Sequence, residues 1–270
     1  MTPDVADSAE RTARKAASHP AFRTLARTGY AANGVVHILI GAIVLAAGAG
    51  GGESDQTGAF RAIAEAPLGF VGLWVLTVGL AALAIWYAVE GVLIDEEDTG
   101  KRWAKRVGEW AKAIVYAAIG YSAASVALGA GSSGDQGAQN ASSTVLSLPG
   151  GPVLLAVGGL VIVAIGGAFV VKGVTRSFRE KLRMPGGTTG RIVTVLGVVG
   201  YVAKGVALAI VGVLIVTAAV QVDPGEAGGL DRAISSLVAL PFGPWLVGAA
   251  GIGFIAYGVY CFFRARYARL

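Results

Sequence analysis

Apolar residues run along the chain in six long blocks, at about 30–48, 68–91, 110–130, 151–172, 192–220 and 244–263, each bounded by polar or glycine-rich stretches. Blocks of some 20 residues match the apolar core of a bilayer, about 30 Å thick. Helices buried in a soluble protein run shorter and keep a polar face. The blocks also repeat. Gly29-Tyr30-Ala31-Ala32-Asn33-Gly34, closing at Gly41, returns as Gly108-Glu109-Trp110-Ala111-Lys112-Ala113, closing at Gly120. It returns again as Gly200-Tyr201-Val202-Ala203-Lys204-Gly205, closing at Gly212. Each copy runs through a polar loop to a Pro-x-Gly, at Pro67/Gly69, Pro149/Gly151 and Pro241/Gly243, and then into a second apolar block. A period of this length decides an architecture before any single motif does.

The pattern predicts an all-α, polytopic membrane protein of six transmembrane helices, built as three parallel two-helix repeats in a pseudo-threefold arrangement. Two spans return the chain to the side it left, so all three units point the same way. The expected divisions are a polar N-terminal segment 1–21, repeat one 22–95, repeat two 96–175, a linker 176–190, repeat three 191–265 and a tail 266–270. Small residues fall on one stripe of the first helix of each repeat, Gly34/Gly41, Ala113/Gly120 and Gly205/Gly212. Such stripes let helices approach closely in lipid. The external loops carry short amphipathic stretches, Ala59–Ala64 and Leu230–Leu237, expected to lie in the headgroup plane. The glycine-rich runs 48–52 and 131–137 read as flexible linkers, and the prolines of the Pro-x-Gly are expected in the first turn of the following span.

Composition sharpens this. Of 270 residues 54% are hydrophobic and only 14% charged, against about 25% charged in soluble domains. The 22 Lys and Arg cluster before the first block, between the second and third, between the fourth and fifth, and after the sixth; the alternate loops hold only Arg61 and Arg232. Lysine and arginine mark the cytoplasmic side, so both termini are expected there. The net charge of +5 follows from that topology and calls for no nucleic acid. Its natural partners are membrane lipids, their anionic headgroups above all. With one cysteine, Cys261, and two histidines, the chain has no intrachain disulfide and no spacing for a metal or another cofactor.

One constellation carries chemistry. Asn33, Lys112 and Lys204 are equivalent across repeats, about one turn inside the cytoplasmic end of the first helices. Glu90, Lys172 and Arg264 are equivalent too, each 23 residues after the proline of its repeat. Twenty-three residues of helix span about 35 Å, which returns the chain to the inner headgroup level. The six positions share one depth and a formal charge of +3. Charge within a membrane is costly and calls for a functional hypothesis. A lysine near the interface also reaches the headgroups with its charge while burying its stem. The ring is therefore read either as snorkelling and locally paired side chains, as a site for an anionic lipid headgroup or small anion, or as part of an ion path. His37, one turn above Asn33, is a candidate titrating group.

The repeated Gly-Tyr-x-x-Lys/Asn-Gly unit with its Pro-x-Gly resembles the bacterial membrane family called domain of unknown function 1206, over residues 22–265. The resemblance implies three two-helix repeats and an integral membrane location, in the bacterial cytoplasmic membrane. It implies no activity and no catalytic residue. It also implies a basic residue at Asn33 and a tyrosine at His37, and the first repeat departs at both. No acid, base or nucleophile sits mid-span, so an enzyme is not expected. The expected function is non-catalytic, binding anionic lipid headgroups or a protein partner at the cytoplasmic ring. The alternative is a small channel or transporter for an ion or anionic solute.

Overall fold

The structure is a computed structural model and describes residues 20–47, 56–65, 67, 69–94, 96, 98–130 and 134–269. The glycine run 48–52 and most of the polar segment 1–21 lie outside the described residues. Among the described residues nine α-helices follow one another: α1 Pro20–Ala47, α2 Gln56–Glu65, α3 Gly69–Val92, α4 Thr99–Ala127, α5 Gly134–Leu146, α6 Gly151–Val174, α7 Gly187–Gln221, α8 Leu230–Val238 and α9 Gly243–Tyr267. Two 3₁₀ turns, Ser177–Lys181 and Pro224–Glu226, and an isolated bridge between Leu182 and Ala268 complete the described residues.

Helices α1, α3, α6, α7 and α9 are long and apolar enough to cross a membrane, and the chain is a multi-pass membrane protein. The block at 110–130 differs. It lies in α4, a 29-residue helix whose first half carries Lys101, Arg102, Lys105, Arg106, Glu109 and Lys112 and whose second half is mostly alanine, glycine and serine. Alanine gains little from burial in lipid, so α4 is the least apolar of the six long helices. Asp98 starts it: its carboxylate accepts from the Lys101 amide at 3.1 Å, a cap for one of the four unpaired amides of the first turn.

The connections between the two long helices of each repeat all carry helices, α2, α5 and α8. The run 131–137, read as a linker, is helical from Gly134. The prolines of the Pro-x-Gly also sit two residues earlier than expected, outside the helix. In repeats two and three the first turn instead holds Pro152 and Pro244, where a missing amide costs nothing. The middle residue of the motif is left-handed at Gly150 (φ 74°) and Phe242 (φ 64°). The motif's glycine then begins the span pressed against the helix before it. A Cβ on Gly69, Gly151 or Gly243 would overlap the carbonyl oxygen of Ile63, Val145 or Val238. The reversal needs glycine at that place.

Packing follows one order around the bundle: α4 against α3, α3 against α1, α1 against α9, α9 against α7, and α7 against α6. The broadest contacts are α6–α7, α1–α9 and α3–α4, each joining the second helix of one repeat to the first helix of the next. The two helices of repeat two, α4 and α6, make no extended contact. Two of the broad contacts are glycine on glycine. A Cβ on Gly205 would lie 2.6 Å from the Gly166 carbonyl oxygen, and one on Gly41 the same distance from that of Gly251. Gly212 faces Gly159 and Gly34 faces Gly258 in the same way. The third contact is looser, since a Cβ on Gly120 would stand 3.5 Å from Leu80 and 3.7 Å from the Thr77 carbonyl oxygen. The main core gathers Val36, Ile40, Val44, Leu73, Leu80 and Val247 in the half nearer α2 and α8. Outward, α6 buries only 17% of its span and α9 half, as expected where the solvent is lipid.

Candidate functional site

The opposite, basic end of the bundle holds an aromatic and cationic cluster. It is built by the same register in each broad contact. Lys172 on α6 stands over the ring of Tyr201 on α7, 5.2 Å from its centroid, and Arg264 on α9 stands over Tyr30 on α1 at 4.4 Å. Tyr30 and Tyr201 are equivalent positions, as are Lys172 and Arg264. One turn away the order reverses, the first helix supplying the polar group. Lys112 lies over Tyr87 at 4.8 Å and Lys204 over Phe169 at 5.7 Å, while Asn33 Nδ2 donates to Cys261 Sγ at 3.4 Å. Tyr87, Phe169 and Cys261 are again equivalent, each 20 residues after its proline. A cation over a ring face gains roughly 0.5–2 kcal/mol, more as water is excluded. Here aromatic faces occupy the places that carboxylates take in ordinary ion pairs.

Arg264 goes furthest. Its Nη2 donates to the hydroxyls of Tyr87 at 3.0 Å and Tyr30 at 3.3 Å, and those hydroxyls lie 3.3 Å from each other. Tyr87 stacks on Tyr116, centroids 5.5 Å apart. Lys204 is held from two sides. Its Nζ lies 4.6 Å from the Tyr257 centroid and 3.0 Å from His37 Nε2. His37 Nδ1 lies 2.8 Å from the Asn33 carbonyl oxygen. A carbonyl only accepts, so Nδ1 carries the proton and Nε2 accepts from the Lys204 ammonium. Both ring nitrogens are engaged, and His37 is neutral in this arrangement.

The third register is acidic. Glu90 takes the place of Lys172 and Arg264, and Glu109 that of Tyr30 and Tyr201. Glu109 pairs with Lys112 on its own helix and with Lys181, 3.5 Å away, beyond α6. Glu90 has no ion pair among the described residues, although Lys112 feels its charge. Arg106 closes this end, donating to the last carbonyl of α3 at Val92 (3.3 Å) and to that of Ile94 just beyond it (3.2 Å). All six ring positions thus gather at one end. Asn33 is buried, and Glu90, Lys112, Lys172, Lys204 and Arg264 are partly buried. Arg264, Lys112 and Lys181 all act on Lys172, with Glu109 the one carboxylate among its main electrostatic neighbours. The tyrosines, Glu109 and Lys181 are not among the six positions that the sequence singles out. Their signal was the residue three before each ring position, Tyr30, Glu109 and Tyr201, which reads as a packing stripe. Among the described residues no group of histidine, cysteine and carboxylate side chains has the geometry of a metal site.

The sequence model of the family described as Domain of Unknown Function (DUF1206) matches three times, over residues 28–93, 107–176 and 199–268. The chain belongs to this family. The three matches coincide with the three copies of the register. The chain is also similar to YxxB, an uncharacterized protein of Bacillus subtilis (strain 168), with 26% identity over 261 residues, covering 95% of this chain and 94% of that protein. No solved structure matches.

Proposed function

We propose that the protein is a six-span, non-catalytic component of the bacterial cytoplasmic membrane that binds an anionic phospholipid at the basic end of its bundle. The observation that carries this is the surplus of cations: Lys172 lies in the field of Arg264, Lys181 and Lys112, while Glu109 is already shared by Lys112 and Lys181. An anion entering there relieves both repulsion and desolvation. In this reading α4 is the sixth span, and the contacts α3–α4, α6–α7 and α9–α1 are the three sides of a pseudo-threefold ring. The basic end faces the cytoplasm, with both termini. The headgroup sits between Lys112 on α4 and Lys172 on α6, and the acyl chains lie along those two helices where the ring is open. A conducting pore fits less well, because the other half of the core is Val36, Ile40, Val44, Leu73 and Leu80, and a path needs polar lining.

Lys112→Gln with Lys172→Gln tests the site. The pair should lower the acidic phospholipid retained through detergent purification, with the melting curve preserved. Unchanged retention overturns the reading, and anion flux in reconstituted wild-type vesicles would favour transport. Sidedness is tested in a Cys261→Ala background: Asn140→Cys should react with an impermeant thiol reagent from outside, and Lys181→Cys only after the membrane is opened.

A further inference from the structure

Between α6 and α7 the chain leaves the bundle and is tied to its own C-terminal tail. Leu182 bridges Ala268, the Arg183 amide donates to the Tyr267 carbonyl at 2.8 Å, and the Arg269 amide donates to the Lys181 carbonyl at 3.1 Å. This pairing brings Arg269 beside Arg176 and Arg179. A shallow, open depression lies between them, lined by Arg176, Arg179, Glu180, Arg269, Leu182 and Met184. None of the three arginine side chains has a hydrogen bond or ion pair among the described residues. Arg176 is also left-handed, at φ 60° and ψ 21°. That position follows a helix end, where glycine is the easy choice, and an arginine there stores backbone strain.

We propose that this pocket binds a diphosphate group. It is separate from the cluster inside the bundle. Three guanidinium forks face one carboxylate, and each fork matches two phosphate oxygens with charge-assisted hydrogen bonds. That donor supply exceeds what a single phosphate uses, and the open depression leaves room for a second. Leu182 and Met184 give the pocket an apolar wall beside the membrane end of α6. The diphosphate is carried either by a lipid alcohol or by a soluble compound.

The test is calorimetric titration of the full chain in neutral detergent with inorganic phosphate, inorganic pyrophosphate and farnesyl diphosphate. Pyrophosphate should bind at least about tenfold more tightly than phosphate, the worth of one charge-assisted contact. Arg179→Gln and Arg269→Gln should each weaken it about tenfold, and Arg179→Lys, which keeps charge but loses the fork, should fall between. Arg191→Gln, an exposed arginine outside the pocket, should leave binding unchanged. Tighter binding of farnesyl diphosphate than of pyrophosphate supports a lipid-borne group, and equal binding a soluble one. Absence of binding by both diphosphates overturns the proposal. So does an Arg191→Gln loss equal to that of Arg179→Gln, which would mean diffuse surface charge. Arg179 is exposed and its side chain holds no other element, so its variants keep the fold, which the melting curve verifies.

Discussion

The α6–α7 and α3–α4 contacts join equivalent helices and yet are made differently. In α6–α7 the backbones meet at Gly166/Gly205 and Gly159/Gly212, and a lysine caps the contact by lying over a tyrosine. In α3–α4 the corresponding places are Ala84/Ala113 and Thr77/Gly120, and the end carries Glu90, Glu109 and a salt bridge to Lys112. The first fixes separation by removing side chains. The second keeps small side chains and holds the helices with polar groups at one end, including Arg106 on the α3 carbonyls and Trp110 Nε1 on the Ala88 carbonyl at 3.3 Å. One register therefore accommodates either close glycine packing capped by a cation over a ring, or looser packing in which Lys112 both lies over Tyr87 and pairs with Glu109.

The largest effect should come from glycine. Gly205→Ala places a Cβ against backbone and should cost about 1–3 kcal/mol, with Gly205→Leu beyond that range. Gly120→Ala has room, and alanine's advantage of about 1 kcal/mol in a helix should make it neutral or stabilising. Equal losses in detergent melting would break the comparison. Next comes the cation over the ring. Arg264→Met deprives two buried tyrosine hydroxyls of a donor and should cost about 1–3 kcal/mol, while Glu90→Gln, its equivalent, should melt close to wild type. A Glu90→Gln loss as large as that of Arg264→Met would show that the acidic register is equally integral. Lys204→Met should cost about 1 kcal/mol, because His37 Nε2 then lacks its donor; ¹⁵N chemical shifts of the imidazole should change with it, and unchanged shifts would remove the Lys204–His37 bond. The smallest effect belongs to Lys181→Ala. It breaks a half-exposed ion pair worth about 0.2–1 kcal/mol, and should vanish in high salt.

Much of this was readable before any coordinates. Gly34, Gly41, Gly205 and Gly212 lie on helical stripes, and all four are contact points. Lys172 and Arg264 occupy matching places, and both cover a tyrosine. The partners were not readable. A stripe tells which face packs but not against what, so the pairing of Gly205 with Gly166 of the preceding repeat had no signature. Nor did the choice of Tyr201 rather than a carboxylate beneath Lys172, because aromatic residues at helical spacing look like ordinary core. The α4 block read as a span on its apolar residues alone; its alanine-rich second half makes it the weakest of the six. The start of helix α5 reads as linker because glycine at 134 and 137 outweighs the helix formers that follow.

The order of contacts also sets an order of biogenesis. Helices α3 and α4 are consecutive in the chain, as are α6 and α7, so each of these pairs can form as soon as its second member is inserted. The α1–α9 contact joins the first long helix to the last. Until α9 is made, the face of α1 bearing Gly34 and Gly41 has no partner, and Asn33 and His37 lack Cys261 and Tyr257. The nascent protein therefore holds one face of α1, with Asn33 and His37 on it, without its final partner through most of its synthesis. A chain that ends before Gly243 leaves that face without its partner permanently.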